Sequence, residues 1–508
     1  MAPTPCPQLA KGAVAAAALL LPAILPAQTT WTGTTSTDWN TATNWSPATL
    51  PGSSADVFID LQSNLPVLSS GSINLGSRQI WVGNQSVSHV SAPATLTIQS
   101  GAQLTSGGAN IGSNFNNGDS PGAVTVTGAG SKWTNTSVLM AYNTNVAGNG
   151  GTLSILNGGS VVSSQGATVG FNGSATVTVD GAGSSWTIGS GVTVASTMGL
   201  TSSMTVSNGG YVSTGAGSGV ATNFGGIGSI TLSGAGTVWD SNGLFSVNGQ
   251  GTSTLTISGG AKLNMLHNNN GAIGGATYAS ASATITGAGS SWNPFVLTMG
   301  GTNAAGSLTV SNGGTLTTTV AHLETNTSNA GDAAVSILGQ GSTWTNNGFD
   351  YNFDIGTSGN GSLTLGSGGQ FNTKGVTLGG GSELHFQLGG TSALTGYGSI
   401  NFLSGATHAY LGGLLDVTLV NSFNPNPGAT FHLFNFNGVT VSGAFSTIAL
   451  PTLGGGETWD TSGLYTNGTI VVDAAPVPEP ASAAALLGAA ILGVALRRRQ
   501  LKKQQSAA

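Results

Sequence analysis

From residue 96 onward, apolar residues alternate with Thr or Ser in short runs that end on Gly or Asn. Leu96-Thr97-Ile98, Val124-Thr125-Val126, Leu153-Ser154-Ile155 and Val177-Thr178-Val179 are four instances. Period-two alternation sends one set of side chains into a core and the other into water, as in a half-buried β-strand. β-Branched Thr and Val suit a pleated surface. No stretch of this body keeps a helical period, and the helix formers Glu and Lys are nearly absent.

The strands recur in two alternating contexts. One runs into a Gly-rich turn and a tryptophan: AVTVTGAGSKW at 123–133, TVTVDGAGSSW at 176–186, SITLSGAGTVW at 229–239, ATITGAGSSW at 283–292 and, relaxed, GQGSTW at 339–344. The other meets a Gly turn and a second strand, as in LTIQSGAQLTS (96–106), LSILNGGSVVS (153–163), MTVSNGGYVST (204–214), LTISGGAKLNM (255–265), LTVSNGGTLTT (308–318) and LTLGSGGQFNT (363–373). Trp133, Trp186, Trp239, Trp292 and Trp344 are thus spaced by 53, 53, 53 and 52 residues. Fixed spacing on this scale marks supersecondary units stacked in a row. Each half-unit has the length of one coil of a parallel β-helix. Coils stacked at ~4.8 Å predict a rod of about ten to fourteen coils, on the order of 50–65 Å long. Asn-Gly-Gly at 157–159, 208–210 and 312–314 admits positive φ and is read as a tight reversal. A β-sandwich with long hairpins is the alternative, but its strands would not be periodic copies.

Residues 31–60 hold Trp31, Trp39 and Trp45, turn-forming Pro47 and Pro51-Gly52, and a strand at Val57-Phe58-Ile59. They read as a cap over the first rung, with a carbohydrate-stacking aromatic patch as the sharper alternative. Further strands are expected at Ile80-Trp81-Val82 and Val87–Val90. Residues 385–473 carry less Gly and longer apolar runs (414–420, 430–436, 469–473), which suggests a terminal cap or small β-domain. The expected fold is all-β: a β-solenoid rod with capping β-modules, an N-terminal signal helix and a short C-terminal transmembrane helix. Its divisions are 1–27, 28–95, 96–384, 385–475 and 476–508.

Composition narrows the function classes. Gly accounts for 83 of 508 residues and charged residues for 5%, against about 25% charged in an average chain. The wet surface is therefore Thr, Ser and Asn. Residues 28–480 contain 4 basic and all 16 acidic residues, a net −12; such a body has no basic footprint for nucleic acid. Cys6 is the one cysteine, so no internal disulfide is possible, and a chain without its first 27 residues has no thiol.

Both termini look like address labels. Lys11 precedes the apolar run 12–25, and cleavage after Ala27 would complete a secretory signal peptide; an uncleaved anchor is the alternative. At the other end, Val477-Pro478-Glu479-Pro480 leads into an apolar run at 481–496 and then Arg497, Arg498 and Arg499. Sixteen residues are short for a full span, but flanking charges snorkel, and the basic end stays cytoplasmic. These residues resemble the PEP-CTERM sorting signal, a Pro-Glu-Pro tripeptide, a short transmembrane helix and an arginine cluster. The resemblance implies an exosortase-type processing enzyme as partner, a transient stay in the inner membrane, delivery to the cell surface or exterior, and an association with exopolysaccharide or biofilm. The repeats are similar to those of autotransporter passengers, yet no translocator barrel is expected, because about 90 non-helical residues after the repeats are too few.

Catalytic chemistry finds little footing. The repeat region offers Asp119, Asp180, Asp240, Glu324, Asp332, Asp350 and Asp354, with Asp350 and Asp354 on one face if their segment is a strand. His89, His267, His322, His385, His408 and His432 are scattered without metal-binding spacing; His322 and Glu324 read as an ordinary strand pair. There is no nucleophile elbow with a partnered His, no phosphate loop and no calcium repeat. No catalytic, metal-binding or cofactor-binding residue is expected. The five repeat tryptophans form either a structural ladder or a glycan-contacting row. Ice binding is set aside because a Thr-x-Thr array does not recur on every coil. The expectation is an exported structural or adhesion protein, with a polysaccharide-acting β-helix enzyme or a glycan-binding module as alternatives.

Overall fold

The alternating runs become strands with alternating burial. Ser174–Asp180 buries Ala175, Val177 and Val179 and turns Thr176 and Thr178 outward. It pairs in parallel with Gly150–Leu156 before it and Thr201–Ser207 after it. Sheet neighbours are therefore one coil apart in sequence, which defines a solenoid. The computed structural model describes residues 27–475 and 480–505, apart from 61, 84–92, 114–120, 143–149, 196, 198, 223–224, 276–279, 302–303, 324–332, 349–352 and 358. The expected signal helix and the strand at 87–90 lie outside these residues.

Three long sheets of 17, 15 and 14 strands form the faces of a rod of about 13 turns. At ~4.8 Å per coil that is a length of about 60 Å. A representative coil runs through Ser174–Asp180 on the 15-stranded face, Ser185–Ile188 on the 14-stranded face and Val192–Val194 on the 17-stranded face. The Asn-Gly-Gly segments are corners and do not reverse the chain. Asn157 and Gly158 adopt φ of 52° and 84°, but the strands on either side join different sheets, each paired in parallel with the coils above and below.

The Gly-Ala-Gly-Ser turn forms the matching corner. Its fourth residue, Ser131, Ser184, Thr237, Ser290 or Ser342, is fully buried. Each of these hydroxyls accepts the backbone N–H of a glycine in the preceding coil (Gly101, Gly158, Gly209, Gly260 and Gly313) at 3.0–3.1 Å. Four also donate to the carbonyl four residues earlier, at 2.6–2.8 Å.

The repeat tryptophans fill the core beneath the 14-stranded face and are 0–1% exposed. They line up in one column but do not stack on each other. Pairing runs Trp133–Val161–Trp186–Val212–Trp239–Leu263–Trp292–Leu316–Trp344, so an aliphatic rung separates each pair of indoles. The glycan-contact reading of this ladder is thereby corrected, since a buried indole offers no face to a sugar. Four indole N–H groups donate to a hydroxyl in the preceding coil: Trp133 to Ser106 (3.0 Å), Trp186 to Ser163 (3.1 Å), Trp239 to Thr214 (3.4 Å) and Trp344 to Thr318 (3.0 Å). The equivalent position before Trp292 is Met265, and the Trp292 N–H is unsatisfied.

Both ends are closed. Trp45 packs edge-on against Trp31 and Trp39, with ring centroids 4.9 and 4.7 Å apart, and all three rings are buried. They cover the first coil and form no carbohydrate-stacking patch. At the other end, coiling does not stop at 384. Ser382–Leu388 pairs with Leu414–Leu419 and that with Thr447–Ala449, while Ser399–Phe402 pairs with Phe434–Asn435, all in parallel. The cap is a separate antiparallel sheet of Thr430–His432, Thr469–Asp473 and Thr458–Asp460. Falling Gly content marks a change in corner chemistry, with larger rings such as Phe386 and Phe434 filling the core. It does not mark the end of the coil.

Thr318→Val keeps side-chain volume but leaves the buried Trp344 N–H without an acceptor. It is expected to lower stability by about 1–3 kcal/mol, read from the urea midpoint. Thr318→Ser is expected to cost less, because Ser163 serves Trp186 in the same way.

Candidate functional site

The most regular exterior belongs to the 15-stranded face. Eleven consecutive coils place Thr or Ser at its central outward position, from Thr97 and Thr125 through Thr205 and Thr256 to Thr364. Strand spacing sets these hydroxyls ~4.8 Å apart along the rod. Among the described residues none has a side-chain hydrogen bond to another protein group. Flanking columns mix Thr and Ser with Ala, Leu and one carboxylate, Asp180. One strict hydroxyl column therefore exists where the linear sequence displayed only an imperfect Thr-x-Thr pattern.

The acidic candidates are individually engaged across coils. Asp180 accepts from Ser207 Oγ (2.6 Å) and Asn208 Nδ2 (2.7 Å). Asp240 accepts from the Tyr211 hydroxyl (3.0 Å) and Asn264 Nδ2 (2.9 Å); burial, then Asp240, push the Tyr211 phenol above its ordinary value. His322 pairs with Asp354 on the neighbouring coil of the 17-stranded face. His385 lies between Asp416 (Nδ1–Oδ2, 3.0 Å) and Glu383 (Nε2–Oε2, 3.3 Å). Reading along the chain missed the two His–Asp pairs because the partners sit about one coil away, 32 residues for His322 and Asp354 and 31 for His385 and Asp416. Asp119, Glu324, Asp332, Asp350 and His89 lie outside the described residues. His267 bonds Asn242, His408 packs against Tyr410, and His432 is in the cap sheet. Among the described residues no group of three or more His, Cys, Asp or Glu is arranged to hold a metal ion.

The sorting segment is the second candidate. Val477, Pro478 and Glu479 lie outside the described residues. Pro480 opens a helix, Pro480–Gln505, that carries Arg497, Arg498 and Arg499 without a break; proline is well placed there, where its missing N–H costs nothing. Leu486, Leu487, Ile491, Leu492, Val494 and Leu496 are 54–74% exposed and occur all round the helix. A helix apolar on every side and uncovered by its own chain finds its partner in lipid. The apolar run of 16 residues spans only ~24 Å, against a hydrocarbon core of ~30 Å. No helix among the described residues is long and apolar enough to cross a membrane.

Residues 476–499 match the PEP-CTERM protein-sorting motif. A search of curated proteins finds no match to the chain.

The hydrogen bond that the His322 ring donates to Asp354 raises the His322 pKa above its ordinary 6.5, against a smaller opposing effect of burial. The stabilisation is complete below pH 6.5 and is lost as pH rises through the elevated value. Unfolding midpoints of the wild type should therefore decline across that window, and Asp354→Asn should flatten the decline.

Proposed function

We propose that this exported chain, which an exosortase-type enzyme sorts through its PEP-CTERM motif and which is held transiently at the membrane, acts as a non-catalytic structural and adhesion protein of the cell surface or extracellular matrix, linked to exopolysaccharide or biofilm. The unbroken hydroxyl column carries the reading. A hydroxyl contact nets about 0.5–1.5 kcal/mol, so one is weak. Eleven in a rigid row act on a repetitive surface together, and avidity follows without a deep pocket. The column is uncharged, so salt screening has little to act on.

A polysaccharide-acting enzyme is the competing class, and His385 with Asp416 and Glu383 is the cluster that comes nearest to it. In that cluster the histidine engages both carboxylates, whereas a glycosidase holds an acid and a second carboxylate on opposite sides of a sugar. Depolymerisation of any matrix glycan that is abolished by Asp416→Asn would overturn the non-catalytic reading.

Two measurements test the proposal. Replacing Glu479, or Arg497–Arg499 together, with Ala is expected to leave the chain at its unprocessed mass in the membrane fraction; unchanged mass and location would refute the sorting step. Thr205→Lys, Thr256→Lys and Thr309→Lys together place charges on the column without touching the core. Retention of the triple variant in the matrix fraction is expected to fall about tenfold or more, while wild-type retention survives a wash in about 1 M salt.

A further inference from the structure

Where the chain crosses from the 14-stranded to the 17-stranded face at Gly243, the corner has no room for a side chain. A Cβ there would lie 2.4 Å from the carbonyl carbon of Ala216 and the nitrogen of Gly217 in the preceding coil. Coil packing itself therefore demands glycine. The residue before it is Asn242, which is exposed. An Asn-Gly pair sets a side-chain amide carbon beside a peptide nitrogen that no side chain shields. Rotation about the bonds of the Asn Cα brings the two together in a succinimide ring.

The same dipeptide recurs at the other corner, and there it is held shut. Asn157-Gly158, Asn208-Gly209 and Asn312-Gly313 each give the glycine N–H to a hydroxyl, that of Ser184, Thr237 or Ser342, at 3.0–3.1 Å. A nitrogen tied in a part-buried hydrogen bond reaches the neighbouring amide only by breaking that bond. Asn347-Gly348 is tied as well, since the Gly348 N–H donates to Asn346 Oδ1 at 3.1 Å. The Gly243 N–H donates to no protein group among the described residues. The Asn242 amide is also polarised from the next coil. His267 Nδ1 lies 3.0 Å from Asn242 Oδ1, and Asn269 Nδ2 lies 3.4 Å from the same oxygen. Asn269 is fixed in this sense because its Nδ2 also donates to the Leu266 carbonyl at 2.5 Å. An amide oxygen only accepts, so His267 is the donor in its contact. Two donors on one carbonyl oxygen stabilise the charge that gathers there when a nucleophile adds to the carbon. Asn437-Gly438 is the contrast: the Asn437 amide donates to the Phe402 carbonyl at 3.2 Å, and its Oδ1 receives no donor among the described residues.

We propose that Asn242 is a site of self-modification, a deamidation that the neighbouring peptide nitrogen carries out. The Gly243 nitrogen adds to Asn242 Cγ, and the oxyanion that forms at Oδ1 is held by His267 and Asn269. A C–N bond to Gly243 replaces the C–N bond to the side-chain nitrogen. The Gly243 proton passes through solvent water to that nitrogen, which leaves as ammonia. Water then opens the succinimide to an aspartyl or isoaspartyl residue. Nothing is oxidised or reduced, and water is the one co-reactant. The aspartyl product keeps both donors, now against a carboxylate, and adds a negative charge to the corner. The inference is independent of the hydroxyl column and of any adhesive role for the rod.

The test incubates the full-length chain in mild detergent and mildly alkaline buffer, digests samples under acidic conditions and maps the conversion of each Asn by mass spectrometry. Asn242 is expected to convert about fivefold or more faster than Asn157, Asn208 and Asn312. Incubation of the unfolded chain in urea is expected to erase that difference. His267→Ala and Asn269→Ser are each expected to slow conversion at Asn242 about two- to tenfold. The direction is diagnostic, because a variant that merely loosened the corner would give the Gly243 segment more freedom and speed the reaction. Conversion at Asn242 no faster than at the three tied pairs overturns the proposal. So does a difference that persists in urea, or a rate that both donor variants leave unchanged or raise.

Discussion

Everything in this rod depends on how its corners satisfy buried backbone groups. A coil that turns between faces carries peptide N–H groups out of the sheet ladders into part-buried corners, where an unpaired donor is costly. Here the two corner types solve the problem for each other. The glycine corner of one coil presents an N–H, and the Ser or Thr of the next coil accepts it. Neither corner is complete alone. The unit of construction is therefore a pair of coils, which is why the tryptophans recur at 53 residues and not at the length of one coil. The pair also governs the core: indole rungs alternate with Val or Leu rungs, and large against small fills the interior without overpacking.

The same stacking limits the exterior. Outward residues in successive coils are ~4.8 Å apart, and like charges at that distance repel. A column many coils long can be uniform only if it is neutral. The 5% charge content is thus a structural consequence as much as a surface preference. Two carboxylates of the repeat meet donors in the next coil, Asp180 in Ser207 and Asn208, and Asp240 in Asn264.

Strands, coil stacking and period were legible in the linear pattern because alternation and repeat length are local or strictly periodic signals. The cap boundary was not, because low Gly content after 384 looks like a new domain when only corner chemistry has changed. Cross-coil pairs were hidden for a different reason. His322 and Glu324 are close in sequence, but the side chain that meets His322 is Asp354, and coil length varies enough that no fixed offset finds it.

The helix and the rod obey opposite burial rules, and this separates address from scaffold. The helix leaves its leucines and isoleucines uncovered, whereas the rod buries most of its own. Exposed apolar residues of the rod, such as Leu50, Phe171, Ile227, Leu244 and Leu394, come from different coils and faces, the scattered background of any folded surface. Removal of the helix therefore leaves a body with no large apolar patch of its own among the described residues. On the proposed reading, contact with a matrix comes from polar groups in register, and the arrangement that supplies them in quantity is the same coil stacking that built the core.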